Sequence, residues 1–415
     1  MSELTQILST YKAIGQMLAE FWWVIFPVAF YILFYKLWMD HAIKYWILKR
    51  DWVVLEIIPP REIERGPKMM ESFFQGFAGV VVTIYPMDKY LQGKLTHFTS
   101  LELVGEEGRL HFYIRVEKQY RKIIEAQLYA QYPDIEITEV EDYVKRFPKL
   151  IPNRDWNLWG ADIQKSNPDI FPIKTYDKFE ESVTGEMLDP MAAMAEAMQK
   201  LGPGQHIWLQ FIIQPLIESW NKTQFKEIEK LAGRTKNGTA GFVEDFRDVL
   251  SKLWKATSEP VEFKKDKKDE QPLEFRLTPV EKDRLKEVEE NLGQNFFKTK
   301  MRLIYLGRRE GYSNSYVPTF FGTIKQFSNQ NINGLKPHDM SKTSTQYFLR
   351  KSRMIYRQRR IYRRYRDRDM DGKKVLFSSK ELASMYHFPD MHVKSPSIPR
   401  IDAKRGSAPA NLPIS

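Results

Sequence analysis

The sequence predicts an α+β protein built from an N-terminal transmembrane helix, two ferredoxin-like α/β-sandwich units and a basic helical arm. Three observations predict this arrangement. An uncharged run of aromatic and aliphatic residues lies near the N-terminus, strand-like and helix-like periodicities alternate over the middle of the chain, and Lys and Arg cluster near the C-terminus. With 415 residues, 42% of them hydrophobic, the chain is long enough for two domains that each bury a core.

The amino-acid composition excludes some kinds of site and favours some kinds of partner. Cysteine is absent, which excludes disulfides, thiolate metal sites and a cysteine nucleophile. The formal net charge of +11 favours an acidic partner, either nucleic acid, an anionic membrane surface or an acidic protein patch. The position of the positive charge along the chain therefore matters for function.

Residues 1–51 are predicted to form an amphipathic helix, a transmembrane helix and a juxtamembrane segment. The run from Phe21 to Tyr35 carries no charge. Its apolar flanks extend it to about 23 residues, enough for a hydrocarbon core of about 30 Å. The aromatic side chains expected in the membrane are Phe21, Trp22, Trp23, Phe26, Phe30, Phe34 and Trp38.

The basic residues around this run predict its orientation. Only Lys12 precedes the run, whereas four basic residues follow it: Lys36, Lys44, Lys49 and Arg50. The positive-inside rule then predicts a single-pass protein of the inner membrane whose C-terminal domains are cytoplasmic. A cleaved signal peptide is the weaker interpretation, because a basic n-region and a small-residue cleavage site are both missing. A buried helix of a soluble domain is the other alternative.

Residues 52–145 follow the order β-α-β-β-α-β, which is typical of a ferredoxin-like domain. Two glycines bracket the tight turn GEEG between its middle strands. The predicted strands are Trp52–Ile58, Ser100–Val104, Leu110–Val116 and Ile135–Val140, and the helices begin at Gly66 and Glu117.

Residues 146–202 are predicted to be a connector with one helix after Asp189, and residues 203–346 a second ferredoxin-like domain with a helical insertion. Methionines spaced three and four apart in the connector helix indicate a core stripe rather than a soft-metal site. The last strands of the second domain are not evident from the pattern. Its predicted elements are strands His206–Gln214 and Phe297–Leu306 and helices Ile217–Ala232, Ala240–Lys255, Pro279–Leu292 and Tyr316–Gln326.

Residues 347–386 are predicted to form the basic helical arm with a short helix, followed by a Pro-rich tail at 387–415. Phe348, Ile355 and Tyr362 recur every seven residues and indicate an apolar stripe. Arg interleaved with Tyr suits phosphate contact with base stacking, while anionic lipid and an acidic protein remain open as partners. The predicted polyanion-binding residues are Arg350, Lys351, Arg353, Arg357, Arg359, Arg360, Arg363, Arg364, Arg366 and Arg368.

Sequence motifs for catalysis are missing. The chain has no GxxxxGK[ST] phosphate cradle, no HExxH helix and no GxSxG turn. His387 and His392 are five residues apart in a segment interrupted by proline, a poor arrangement for a metal site. We therefore predict no catalytic residue, no cofactor and no metal.

Several stretches together resemble a known family. They include MESFFQGF, LHFYIRVEKQYRKIIEAQLYAQYPDIEITEVEDY, DPMAAMAEAMQKLGPGQHIWLQFIIQP and SSKELASMYHFP. They are similar to bacterial membrane-anchored proteins in which this region precedes or accompanies a DNA-translocating ATPase of type IV secretion or conjugation.

The resemblance implies a non-enzymatic membrane scaffold that positions a separate translocation ATPase. The implied partners are membrane lipid and that ATPase, with DNA and a second copy of the chain as further candidates. Two other classes stay open. One is a membrane-tethered nucleic-acid-binding protein, and the other is a membrane-surface enzyme that uses a polar pocket invisible in the sequence.

Overall fold

The computed structural model describes residues 2–60, 63, 66–80, 84–179, 189–216, 279–329 and 331–390. The predicted helices Ile217–Ala232 and Ala240–Lys255 and the tail beyond residue 390 lie outside these residues. The chain divides into two compact units. Unit 1 comprises Met1–Trp52 and Val82–His97, and unit 2 comprises Val53–Val81 and Phe98–Ser415.

Helices and strands alternate along the described residues. The α-helices are α1 (Ser2–Leu48), α2 (Gly66–Ala78), α3 (Pro86–Gln92), α4 (Arg121–Gln131), α5 (Met191–Gln199), α6 (Pro279–Leu292), α7 (Tyr316–Lys325), α8 (Arg350–Arg366) and α9 (Ser379–Met385). The strands are β1 (Trp52–Ile58), β2 (Thr99–Glu106), β3 (Arg109–Glu117), β4 (Glu136–Val140), β5 (Trp156–Lys165), β6 (Gln205–Pro215), β7 (Phe296–Arg308), β8 (Leu335–Pro337) and β9 (Val375–Ser378).

The prediction of a transmembrane helix is wrong. Among the described residues, no helix combines the length and the apolar character that crossing a membrane requires. Helix α1 is long, with 47 residues. Its uncharged run of fifteen residues, however, covers only about 22 Å of helix against a hydrocarbon core of about 30 Å, and Glu20 and Lys36 border it. The predicted single-pass topology, which depends on this helix, is therefore wrong as well.

The aromatic residues assigned to the membrane lie along α1. The side chains of Phe21 and Trp22 are outside the described part of the structure. The other five are exposed: Trp23, Phe26, Phe30, Phe34 and Trp38.

Helices α1 and α3 pack against each other in unit 1. The indole Nε1 of Trp38 donates to the carbonyl oxygen of Tyr90 at 2.9 Å. Gly93 ends α3 in the left-handed region at φ 67°, and a Cβ there would lie 2.4 Å from the carbonyl carbon of Ala42. Glycine is therefore required at this close approach.

Unit 2 contains one large antiparallel sheet with the strand order β4-β1-β3-β2-β6-β7-β5-β8, and β9 also pairs with β7. The first four strands follow the predicted β-α-β-β-α-β order. The next four begin with β5, which lies before the predicted second domain, and α6 lies between β6 and β7. The two halves meet where β2 pairs with β6 over eight residues, from Thr99↔Ile213 to Glu106↔His206. The prediction of two separate ferredoxin-like domains is therefore corrected to two halves of one sheet.

Strand β5 was missed within the predicted connector. It pairs with β7 and β8 inside the sheet. Asn157, Gly160 and Asp162 interrupt its apolar pattern, so periodicity does not reveal it. Gly160 has a packing role, because a Cβ there would lie 3.2 Å from the Ile361 side chain of α8.

The two faces of the sheet are covered differently. Helices α2, α4, α5, α7 and α9 bury one face in the main core, which includes the methionine stripe of α5 as predicted. Helix α8 and a segment around Tyr143 and Phe147 bury part of the other face, with Trp208 and Ile304 from the sheet. Unit 2 therefore has three layers, and α8 forms the third.

Helix α8 is not a projecting arm. The predicted apolar stripe is wrong at two of its three residues, since Phe348 and Ile355 are exposed. The residues that α8 buries are Gln358, Ile361, Tyr362 and Tyr365. Their spacing of three and four residues places them on one side of the helix, which packs on the sheet.

If the two halves share one sheet, unit 2 should unfold as one body. Leu209 is fully buried in β6 opposite Leu103 of β2, so Leu209→Ala should lower the free energy of unfolding by about 2–5 kcal/mol. Hydrogen exchange should show the same loss for slowly exchanging amides of β1–β4 and β5–β8. A loss confined to β5–β8 would contradict a shared sheet.

Candidate functional site

Four polar side chains form a row across four adjacent strands, beneath α8. Glu102 lies opposite Gln210, Gln210 opposite Arg302, and Arg302 opposite Asp162. Gln210 Nε2 donates to Glu102 Oε1 at 2.9 Å, and Arg302 Nη1 donates to Gln210 Oε1 at 3.0 Å. Arg302 Nε donates to Asp162 Oδ1 at 3.0 Å. We call these four buried residues the polar row.

The C-terminal end of α8 lies on the polar row. Arg302 Nη1 donates to the carbonyl oxygen of Arg364 at 2.8 Å, and its Nη2 donates to that of Asp369 at 3.0 Å. Gln210 Nε2 donates to the carbonyl oxygen of Tyr365 at 3.2 Å. A cation at a helix C-terminus also interacts favourably with the helix dipole. The row thus fixes the position of this end of α8.

Arg368 joins the turn after α8 to the polar row. Its Nε and Nη2 lie 3.0 and 3.1 Å from the carboxylate oxygens of Glu102, and its Nη1 and Nη2 lie 2.6 and 2.9 Å from those of Asp142. The side chain is buried between these two carboxylates. Arg368 is therefore unavailable to an external polyanion, and its inclusion in the predicted binding set is wrong.

Glu102 is ionised in this buried environment. Burial by itself raises the pKa of the carboxyl, but the Arg368 guanidinium and hydrogen bonds from Arg368, Ser100 and Tyr143 outweigh it and lower the pKa to about 2. The Tyr143 hydroxyl donates to Glu102 Oε2 at 2.8 Å and lies 2.7 Å from the Tyr365 hydroxyl of α8. Glu102 thus connects the sheet to α8 by both charge and hydrogen bonds.

The other end of the polar row carries a second buried ion cluster. Lys300 Nζ lies 2.8 Å from Asp162 Oδ2 and donates to the carbonyl oxygen of Lys373. Burial raises the pKa of Asp162, but Arg302 and Lys300 outweigh it and lower this pKa overall. Each of these buried charges therefore has a partner, as charges in a protein interior require.

The remaining predicted polyanion-binding residues lie on or near the outer surface of α8. Arg357, Arg364 and Arg366 are half-buried. Arg357 and Arg366 donate to backbone carbonyls, and Arg364 pairs with Asp371 at 2.7 Å. Six are exposed: Arg350, Lys351, Arg353, Arg359, Arg360 and Arg363.

Four of these exposed cations flank an exposed tyrosine on the side of α8 opposite the sheet. Arg353, Tyr356, Arg360 and Arg363 recur at spacings of three and four residues, with Arg359 beside them. The five span about 15 Å of helix. Within the described part of the chain, none of the four arginines has a carboxylate at ion-pair distance. We call these five residues the arginine stripe.

The arginine stripe is costly for an isolated helix. Like charges three or four residues apart repel one another and weaken a helix by a few tenths of a kcal/mol per pair. The buried side of α8 and the polar row hold the helix despite this repulsion. The stripe therefore presents exposed guanidinium groups from a helix that is held in place, and such groups can bind the oxygen atoms of a polyanion.

The described residues include histidine and acidic side chains, which are the possible ligands of a metal ion. They contain no group of three acidic or histidine side chains that could hold a metal ion. His387 is buried, with Nε2 2.8 Å from Asp189 Oδ1 and Nδ1 2.8 Å from the carbonyl oxygen of Ala383. His392 lies outside the described residues.

A polar cleft of about 270 Å³ lies between α6 and the start of α9. Its two lysines are each paired, Lys178 with Glu287 and Lys380 with Asp177. The residues that line it are Pro172, Thr175, Asp177, Lys178, Glu287, Glu290, Asn291, Gln294 and Lys380.

The polar row was missed from the sequence, although a signal for it exists. Glu102, Gln210 and Arg302 each interrupt a strand that is otherwise largely apolar on both faces. A charged residue in a fully buried strand indicates a buried partner. Lys300 and Arg302 alternate with Met301 and Leu303 along β7, but their partners belong to strands that one sequence does not place together.

Glu102→Gln should destabilise unit 2 by about 3 kcal/mol at neutral pH, because Arg368 loses half of its buried counter-charge. The folded pKa of Glu102, about 2, lies below its ordinary value of 4.5. Its contribution to stability is therefore present above pH 4.5 and is lost as the pH falls from 4.5 towards 2.

Denaturant titrations of wild type and variant between pH 7 and pH 2.5 check this expectation. The stability difference should shrink below pH 4.5. The control is Glu136→Gln, which removes an exposed carboxylate from β4. A difference that stays constant with pH would contradict the assigned role of Glu102.

Comparison with known proteins gives a family but no activity. No curated protein matches the chain. A family model described as "Domain of unknown function (DUF8128)" matches residues 48–400, a range that includes the sheet, the polar row and α8. The description names no activity or partner, so the link to type IV secretion stays a prediction. Because the match extends over most of its length, the chain belongs to the DUF8128 family.

Proposed function

We propose that the chain is a non-enzymatic scaffold subunit that binds a nucleic-acid backbone through α8 and positions a separate translocation ATPase beside it. The observation that carries the proposal is the arginine stripe, four exposed guanidinium groups on a helix fixed to the sheet by the buried polar row. The resemblance of the sequence to proteins that accompany DNA-translocating ATPases supports the second part.

Charge supports a polyanionic partner. None of the four arginines of the stripe has a carboxylate at ion-pair distance among the described residues, so an external anion would relieve their mutual repulsion. A nucleic acid releases its condensed counterions when arginine neutralises its phosphates, and this release favours binding. Guanidinium groups also bind phosphate oxygens with two parallel hydrogen bonds.

The packing of α8 favours nucleic acid over a lipid surface. An amphipathic helix binds a membrane by burying its apolar face among the head groups and acyl chains. In α8 that face, with Ile361, Tyr362 and Tyr365, is already buried on the sheet. The exposed side carries four arginines around Tyr356 and Ile355. A basic surface of this kind can contact phosphate groups without inserting apolar side chains into a membrane.

Removing the stripe should weaken nucleic-acid binding. The variant Arg353→Ala, Arg359→Ala, Arg360→Ala and Arg363→Ala should lower affinity similarly for different sequences and flatten the slope of log K against log salt by up to about 3 to 4. Fluorescence anisotropy with labelled DNA over a salt series measures both effects. The free energy of unfolding should stay within about 0.5 kcal/mol per substitution, as for other surface changes.

A charge-matched control separates the stripe from general basicity. Four exposed lysines outside α8 are replaced by alanine: Lys118, Lys122, Lys282 and Lys325. This control should keep most of the affinity and the salt slope. Equal losses in both variants, or an unchanged affinity of the stripe variant for DNA, would contradict the proposal. Loss of binding only to anionic vesicles would assign the stripe to lipid instead.

The purified chain should hydrolyse no ATP, because its sequence has no phosphate cradle. Affinity purification from the native cell should instead retain an ATPase that separates from the chain on fractionation. ATP turnover that stays with the chain through stringent purification and is lost in one of its own variants would contradict the non-enzymatic role.

A further inference from the structure

An exposed apolar tip precedes α8. Tyr347, Phe348 and Leu349 are exposed by 87%, 80% and 61%. Tyr347 and Leu349 have φ angles of 68° and 51°, in the left-handed region that residues other than glycine rarely adopt. The tip therefore combines two unfavourable features, backbone strain and exposed apolar surface, which cluster in proteins at binding sites.

The tip is continuous with a basic surface. Arg350 and Lys351 follow it directly and are exposed, and the arginine stripe begins two residues later. Tyr356 lies within the stripe and is 64% exposed. Three aromatic side chains thus accompany a row of cations, the combination with which proteins hold unpaired nucleic-acid strands.

We propose that α8 and its tip bind single-stranded nucleic acid, with Tyr347, Phe348 and Tyr356 stacking on unpaired bases while the arginines contact phosphates. This inference rests on the proposed function and specifies its substrate class. In a duplex the faces of the bases stack on each other and are closed to an aromatic side chain. In a single strand each base offers a face.

Charge complementarity favours this occupant over a protein. A partner that covered the tip with apolar side chains alone would leave Arg350, Lys351 and Arg353 without a complementary charge. A single strand satisfies both parts of the surface, because its bases are apolar on their faces and its backbone is anionic.

The experiment compares a labelled 20-nucleotide single strand of mixed sequence with the corresponding duplex, using the full chain and fluorescence anisotropy. Wild type should bind the single strand more tightly than the duplex at the same salt concentration. The variant Tyr347→Ala, Phe348→Ala and Tyr356→Ala should lose at least about tenfold in single-strand affinity. Its salt slope should stay unchanged, because no charge is removed, and its loss of duplex affinity should be much smaller than its loss of single-strand affinity.

Two further variants make the test specific. Tyr129→Ala removes an exposed tyrosine from α4 and should leave single-strand affinity unchanged. The variant Tyr347→Phe with Tyr356→Phe keeps the aromatic rings and should keep the affinity. Photocrosslinking of wild type to a single strand that carries 5-iodouracil should label residues 347–356, a measurement that does not depend on the folding of any variant.

Equal affinity of wild type for single strand and duplex would overturn the inference, and so would crosslinks confined to other parts of the chain. Either result is compatible with a loss of DNA affinity when the four arginines of the stripe are replaced, so it would not contradict the proposed function. If the aromatic variant lost binding to vesicles of phosphatidylcholine and phosphatidylserine but kept single-strand affinity, the tip would belong to a membrane surface. A change from dimer to monomer with unchanged DNA affinity would assign the tip to a second copy.

Discussion

The buried ion pair between Glu102 and Arg368 connects the two parts of unit 2 on which the proposed function depends. Glu102 belongs to the strand where the two halves of the sheet meet, and Arg368 to the turn that ends α8. A buried ion pair gives little net stability, but loss of either partner leaves an uncompensated charge. The pair therefore fixes where α8 lies more than it strengthens the fold, and the outward direction of the arginines follows from that position.

Apolar periodicity correctly predicted helices and strands in which the buried residues are mainly apolar. Strand Trp52–Ile58 and helix Pro279–Leu292 have the bounds that the sequence predicts, and the methionines of α5 are in the core. The pattern failed where burial and polarity coincide, as in β5, where Asp162 and Gly160 face α8. It also gave the wrong apolar stripe for α8, because Gln358 is buried there and Ile355 is exposed.

The predicted polyanion-binding residues show that a cluster of charge in the sequence does not identify which of its members can bind a ligand. A sum over Arg350 to Arg368 treats ten cations as equivalent, whereas the structure separates them into exposed, carbonyl-bound and ion-paired groups. Arg368 and Arg364 are paired with carboxylates from residues 102, 142 and 371. Such partners are distant in sequence, or separated by a turn, so only the fold reveals which cations stay open to a ligand.

The prediction of a transmembrane helix failed for a different reason. The predicted span included residues beyond Glu20 and Lys36, the charged residues that border the uncharged run.

Strand β9, which follows α8, has a mechanical consequence. It pairs with the start of β7, on the edge that β5 occupies further along, while β6 pairs along the other edge. Arg302, which binds the end of α8, also lies on β7. Force applied to the end of α8 would therefore pass into a strand that is hydrogen-bonded along both edges. Detaching that strand would require the backbone hydrogen bonds on both edges to break, so the polar row gives α8 a firm attachment to the sheet.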